Sequence, residues 1–265
     1  MNRPIGIIDS GVGGMTVARE VMRQLPKEEV LYLGDTLRCP YGPRPFQEVR
    51  RFTLNMIRFL TEKNIKLLVI ACNTATAAVL KEVQSMLPIP VVGVIHPGAR
   101  AALKITKHRE IAVIGTEGTI RSQAYDMALH SIDDRVNVHS IACPEFVPLV
   151  ENGMVNNQET LQVIYERLAP LRDMSIDTLI LGCTHYPLLS PLIELVMGTQ
   201  VTIISSGSET AREVSTILHY SNRLYTGDRA PQHRFYTTGS SEMFNRLTYE
   251  WFDQGIKYIE HIELS

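Results

Sequence analysis

Two apolar runs in this chain each stop at a cysteine, and the runs resemble each other. Leu67-Leu68-Val69-Ile70-Ala71 leads into Cys72-Asn73-Thr74, and Thr178-Leu179-Ile180-Leu181-Gly182 leads into Cys183-Thr184-His185. Runs rich in branched apolar residues read as buried parallel strands. In open α/β sheets, ligands sit at the carboxyl ends of such strands. Two thiols at equivalent places in two similar halves put one acid–base group on each side of a substrate. That arrangement moves a proton from one face of a carbon to the other.

Each candidate has an ordinary reading beside it. A lone cysteine is most often a small buried hydrophobe, and Cys39 and Cys143 are read that way. Cys72 has a local reason to be reactive, since a strand end just before a helix N-terminus stabilises a thiolate. The matching Cys183 strengthens that reading. His185 could orient Cys183 or trade protons with it. Cys183 and His185 alone are too few for a metal, and no further Cys/His pair has ligand spacing, so no metal is expected. A Cys–His hydrolase would leave Cys72 without a purpose.

The loop Asp9-Ser10-Gly11-Val12-Gly13-Gly14 follows the first strand-like run. It is neither a dinucleotide fingerprint nor a Walker A loop. Its glycines would let backbone N–H groups approach a small anion such as a carboxylate. Asp9 should raise the pKa of a nearby thiol, which points to proton relay or to holding a substrate ammonium. The Pro/Gly-punctuated segment Gly34–Pro43, containing Tyr41-Gly42, is a long loop of the kind that carries function. Thr116 and Thr119 fall where the second half repeats the Asp9 loop. Glu151 reads either as a solvated helix-end acid or as a site residue.

These residues must be positioned by a duplicated scaffold. Strand-like runs at Ile5–Ile8, Val30–Leu33, Leu67–Ala71 and Val91–Ile95 recur at Ile111–Gly115, Val136–Ala142, Thr178–Gly182 and Val201–Ser205. The offsets are 106 to 111 residues. A near-constant offset over four elements marks a repeated α/β unit, and strands alternating with helices imply parallel sheets. The expected fold is α/β, with two pseudo-symmetric lobes and a site in the cleft between them. Residues 1–97 with 207–265 are expected to form one lobe and 98–206 the other. Hinges are expected at His96-Pro97-Gly98 and Ser205–Ser208. Past the second, a helical run from Ser208 and strand-like Phe235–Thr237 and Tyr258–Ile262 return to the first lobe. Asn73 or Thr74 should cap a helix over Ala75–Met86. Ser190 should cap another that Gly198 closes.

Composition excludes several classes. The 265 residues are 45% hydrophobic with a net charge of −2, so nothing suggests direct nucleic-acid binding. No run approaches a spanning helix and no signal-peptide pattern is present. A cytoplasmic protein with four reduced cysteines is expected.

The combined motifs resemble those of bacterial glutamate racemases in the cofactor-independent aspartate/glutamate racemase superfamily. They are Ile8–Gly14, Pro40-Tyr41-Gly42, Ala71–Thr74, Pro148–Gly153 and Gly182–Pro187, in family order across essentially the whole chain. Leu37 departs from the pattern, where the family's Asp-Thr-x-Arg loop is expected to carry a small residue. The resemblance implies Cys72 and Cys183 as catalytic acid–bases, with Asp9, Glu151 and His185 assisting. It implies substrate contacts at Asp9, Ser10, Tyr41, Gly42, Asn73, Thr74, Thr116, Thr184 and His185. It further implies racemisation of L- and D-glutamate for peptidoglycan synthesis, no cofactor, and a homodimer. Three rivals stand beside it: a sister racemase for aspartate or another acid, a two-lobed solute-binding protein, and a dithiol redox protein.

Overall fold

The computed structural model describes residues 3–252, 256 and 258–264. Among the described residues, ten strands form two sheets. They are β1 (Ile5–Asp9), β2 (Val30–Gly34), β3 (Leu67–Ile70), β4 (Val91–Gly93), β5 (Glu110–Gly115), β6 (Asn137–Ala142), β7 (Thr178–Gly182), β8 (Thr202–Ser205), β9 (Arg234–Thr237) and β10 (Ile259–His261). The first sheet has the order β10-β9-β2-β1-β3-β4 and the second β6-β5-β7-β8. Every strand pairing in both is parallel. The second sheet repeats the β2-β1-β3-β4 order of the first, as the sequence offset predicts, and helices flank both.

The apolar runs are continuous because helices cover both faces of each sheet. On the first sheet, Ile5, Ile7, Leu67 and Val69 pack with Val17, Ala18 and Val21 of the Met15–Gln24 helix. Ala211, Val214 and Leu218 of the Ser206–Tyr220 helix join the same cluster. Ile8, Leu68 and Ile70 point the other way, onto Val49 and Met56 of the Phe46–Glu62 helix and Val79 of the Asn73–Met86 helix. The second sheet is sandwiched in the same manner. Ile114, Leu179 and Leu181 meet Phe146, Ile164 and Ile193, while Ile111, Val113 and Ile180 meet Ala99, Ala102 and Tyr125.

The chain runs from β1 to β2 on one side and then crosses back over β1 to β3 on the other, so the β1/β3 boundary is a topological switch point. The β5/β7 boundary is its copy. A crevice opens at such points because the flanking loops diverge. Asp9 ends β1 and Cys72 follows β3, while Thr116 follows β5 and Cys183 follows β7.

The expected hinges are helical. His96-Pro97-Gly98 lies in the first turn of the Ile95–Ile105 helix, where proline's missing N–H costs no intrahelical bond. Ser206 opens the Ser206–Tyr220 helix. The two crossings touch, since a Cβ added at Gly98 would lie 3.2 Å from Ser206 Cβ. Capping also differs from expectation. Cys72 itself caps the Asn73–Met86 helix. The helix from Ser190 continues out of a 3₁₀ turn at Tyr186–Leu189 and lacks a side-chain cap. Gly198, at φ +80°, does close that helix. Leu37 is 71% exposed, so its size is accommodated in solvent.

Candidate active site

One small cavity lies between the carboxyl ends of the two sheets. Of the residues singled out in the sequence, Ser10, Tyr41, Gly42, Cys72, Asn73, Thr74, Thr116, Cys183, Thr184 and His185 line it. Cys39, Pro40, Val147 and Gly182 also line it, although none is among the expected site residues. The position of Cys39 and Pro40 in the long loop after β2 was the available signal. Asp9 and Glu151 stand one layer behind the wall. The free volume is about 20 Å³, room for roughly one water.

Cys72 is held by the start of its own helix. Its Sγ accepts the Ala75 N–H at 3.4 Å. Burial, and then the charge of Asp9, push the thiol up to about 12, although the Ala75 N–H and the Ser10 hydroxyl pull the other way. Cys72 therefore rests as a thiol. The sequence-level expectation that Asp9 opposes thiolate formation holds.

Cys183 has a different surrounding. Its Sγ lies 3.8 Å from His185 Nδ1, and His185 Nε2 lies 3.1 Å from Glu151 Oε1. Burial disfavours a charged imidazole, but the hydrogen bonds to Cys183 and Glu151 outweigh it and raise His185 to about 10. Burial likewise raises Glu151, yet His185 and Cys39 bring its carboxyl below the ordinary value. At neutral pH the pair is an imidazolium on a carboxylate. Glu151 is thus the partner of the cavity-lining His185 and not a purely solvated helix-end acid.

The glycine loop does bind an anion, but the anion is Asp9. Its Oδ2 accepts the N–H of Gly11 at 3.1 Å and of Gly14 at 3.0 Å, and the Thr184 hydroxyl reaches Oδ1 at 3.4 Å. Those two amides are taken, so the expectation that they cradle a bound carboxylate is corrected. Burial raises Asp9 to about 6, against the pull of His185 and the two amides. Gly13 and Gly14 are glycines because no Cβ fits. One at Gly13 would lie 2.5 Å from His185 Nδ1, and one at Gly14 would lie 2.4 Å from Asp9 Cβ.

Hydroxyls and amides stitch the two sheets together around the cavity. Thr74 Oγ1 lies 2.8 Å from Thr116 Oγ1 and 3.2 Å from Thr119 Oγ1. The Gly118 N–H donates to Gly42 O at 2.9 Å, and the Thr16 hydroxyl to Thr184 O at 3.1 Å. Tyr41 gives its hydroxyl to Asp35 Oδ2 at 2.5 Å, which leaves the Tyr41-Gly42 backbone facing the cavity. The Tyr125 hydroxyl donates to Asn73 Oδ1 at 2.8 Å, fixing the amide so that Nδ2 is buried without a partner among the described residues. Buried donors are nearly always satisfied, so an unpaired Nδ2 on a cavity-lining residue is a donor awaiting an acceptor. Tyr125 was not legible as a site residue, because its role is to orient another side chain.

A parallel two-sheet α/β protein with a thiol at each switch point is the architecture of a known class. The chain belongs to the Asp/Glu/Hydantoin racemase family, whose sequence profile matches residues 5–214. A glutamate racemase of Bacillus cereus is 58% identical over all of this chain and 98% of its own length. The crystal structure of a glutamate racemase isoform from Bacillus anthracis superposes with a TM-score of 0.96 at 51% identity, covering 99% of this chain and 98% of that one. A glutamate racemase from Francisella tularensis in complex with D-glutamate has a TM-score of 0.93 at 32% identity, covering 99% and 98%. Among the described residues, no helix is long and apolar enough to cross a membrane.

Proposed function

We propose that this protein interconverts L- and D-glutamate by two-thiol proton transfer, supplying D-glutamate for peptidoglycan in the cytoplasm. The observation that carries the reading is the pair Cys72 and Cys183, each at the end of an equivalent strand, facing one buried cavity from opposite sheets. One cysteine, as thiolate, takes the α-hydrogen as a proton from one face. The other, as thiol, gives a proton to the opposite face, so one proton leaves the carbon and one arrives. The reverse reaction exchanges the two roles.

The environments support distinct assistance on each side. His185 holds a proton beside Cys183 and can pass or retrieve it through Nδ1, with Glu151 fixing the ring. Asp9 sits behind Cys72 and carries a carboxyl that titrates near neutrality, suited to relaying the Cys72 proton. The main barrier is the weak acidity of the α-carbon. Asn73 Nδ2, with the Thr74 and Thr184 hydroxyls, would stabilise charge growing on the α-carboxylate. Fixed donors act strongly in a cavity closed to water. Ser10 and the Tyr41-Gly42 backbone would read the distal carboxylate.

A cavity of this size cannot take glutamate as it stands. Substrate entry therefore asks the two bodies, 1–97 with 207–265 and 98–206, to part and close again. A homodimer completes the proposal by resemblance to the family.

Initial-rate mass spectrometry in deuterated water tests the two-base step. L-glutamate should yield D-glutamate labelled at Cα from the first turnovers, with residual L-glutamate labelled more slowly, and the reverse reaction should mirror this. Mostly unlabelled product would mean that one group carries the proton across, and would sink the two-thiol mechanism.

A further inference from the structure

Cys39 is the thiol in the cavity wall that this mechanism does not use. It stands in the loop after β2, beside Pro40 and Tyr41. Its S–H donates to Glu151 Oε1 at 3.3 Å. The same oxygen receives His185 Nε2 at 3.1 Å. One carboxylate oxygen therefore takes two donors, one from a loop of the first sheet and one from the second. The contact depends on a missing side chain. A Cβ at Gly11 would lie 3.0 Å from Cys39 Sγ and 3.9 Å from Glu151 Oε1.

We propose that Cys39 is a positioning residue for racemisation: its S–H clamps Glu151 Oε1 across the junction of the sheets and so keeps His185 Nδ1 directed at Cys183. The inference rests on the two-thiol reading above. Glu151 needs such a clamp because its side chain is 33% exposed, whereas that of His185 is 3% exposed. A half-free carboxylate can turn to water and leave the imidazole without its partner. Burial and the Glu151 charge push the Cys39 thiol well above its ordinary range, so it remains a donor across the working pH. Among the described residues, Cys39 and His185 are the titratable groups facing Glu151. Asp9 and Cys72 lie beyond Cys39 and Cys183 beyond His185, while Glu250 of the Ser241–Phe252 helix approaches the adjacent Gly153.

The test compares wild type with Cys39→Ala, Cys39→Val and Cys39→Ser. Valine fills the thiol's space without a donor and replaces alanine should that variant fail to fold; serine restores a donor. The first readout is kcat and KM in both directions. The second is the fluorescence of Trp251, the sole tryptophan, whose ring meets His185 edge-on at 5.8 Å, close enough that its emission should report the charge of the imidazole. Without a donor, kcat should fall about 3- to 10-fold with KM within twofold. The His185 midpoint should drop by about one pH unit, the scale of one weakened hydrogen bond to a charged group. Cys39→Ser should restore both. An unmoved or raised midpoint in the donorless variants, or no rescue by serine, overturns the clamp. A wild-type protein that does not racemise glutamate would overturn the underlying reading instead.

Discussion

Gly13→Ala tests whether the alignment of His185 across the junction matters to the reaction. Gly13 belongs to the loop after β1, whereas His185 and Thr184 follow β7. Its φ lies outside the left-handed region, so alanine imposes no backbone strain and the substitution probes contact alone. The added Cβ would lie 2.5 Å from His185 Nδ1, 2.6 Å from its Cε1 and 2.7 Å from Thr184 Oγ1. Ordinary contacts are about 3.5–4.0 Å, so ring and hydroxyl must each retreat by about 1 Å. His185 Nδ1 already stands 3.8 Å from Cys183 Sγ, and such a retreat breaks the link or parts the sheets. A misplacement of about 1 Å costs on the order of 10²-fold in rate, and overpacking costs about 1–3 kcal/mol of stability. The assay is kcat and KM by circular dichroism of glutamate, alongside thermal unfolding. Gly207→Ala is the control. Its Cβ would meet nothing closer than Thr16 O at 3.5 Å, near the start of a helix where alanine stabilises by about 0.4–1 kcal/mol. Wild-type kcat/KM in Gly13→Ala, or equal loss in Gly207→Ala, would refute the reasoning.

Cys72→Ala and Cys183→Ala should each lose at least ~10²–10⁴-fold in racemisation, the double variant should be little worse, and Cys143→Ala should stay active; strong activity in either single variant at 72 or 183 counts against two-base transfer. In the free protein, Trp251 fluorescence should change as pH passes through about 10, where His185 loses its proton, and His185→Gln should abolish that transition. The same titration carries a stability effect. The folded value of His185 lies above its unfolded one, so its stabilisation is complete below about 6.5 and lost as pH rises through about 10, which His185→Gln melting curves should no longer show. Aspartate should turn over at least ~10³-fold more slowly than glutamate, because one methylene fewer leaves a polar anchor unpaired; comparable rates would favour a sister racemase.

The parts of this molecule that repeat are the parts its sequence displays. Strand runs, their offset and the two terminal cysteines follow from local pattern, since a strand buried on both faces must be continuously apolar. The roles of glycines were legible only in part. Gly11 and Gly14 suggested an anion-binding loop, and the loop does bind one, but nothing local says that the anion is the preceding Asp9. His-Pro-Gly and Ser-Ser-Gly-Ser look like breaks, yet they fall at helix starts, where proline and glycine cost little. Cys39 and Tyr125 are set by contacts more than fifty residues apart, and Glu151 by one 34 residues away. No periodicity reports those.

What does not repeat is more telling for the chemistry. The duplication supplies a thiol at each switch point, yet the groups behind the two thiols have opposite character. Behind Cys72 stands Asp9, a buried anion that adds to burial in keeping that sulfur protonated. Beside Cys183 stands His185, a buried cation held by Glu151. Equivalent surroundings would give the two sulfurs no preference as to which of them holds a single proton. One anion and one cation behind otherwise equivalent thiols break that degeneracy, so the free protein begins with a proton stored on the Cys72 side. Since His185 and Asp9 also face each other closely enough for His185 to lower the Asp9 carboxyl, a proton moved on one side is felt on the other. The asymmetry of the two halves thus sets which side holds the proton before a substrate arrives.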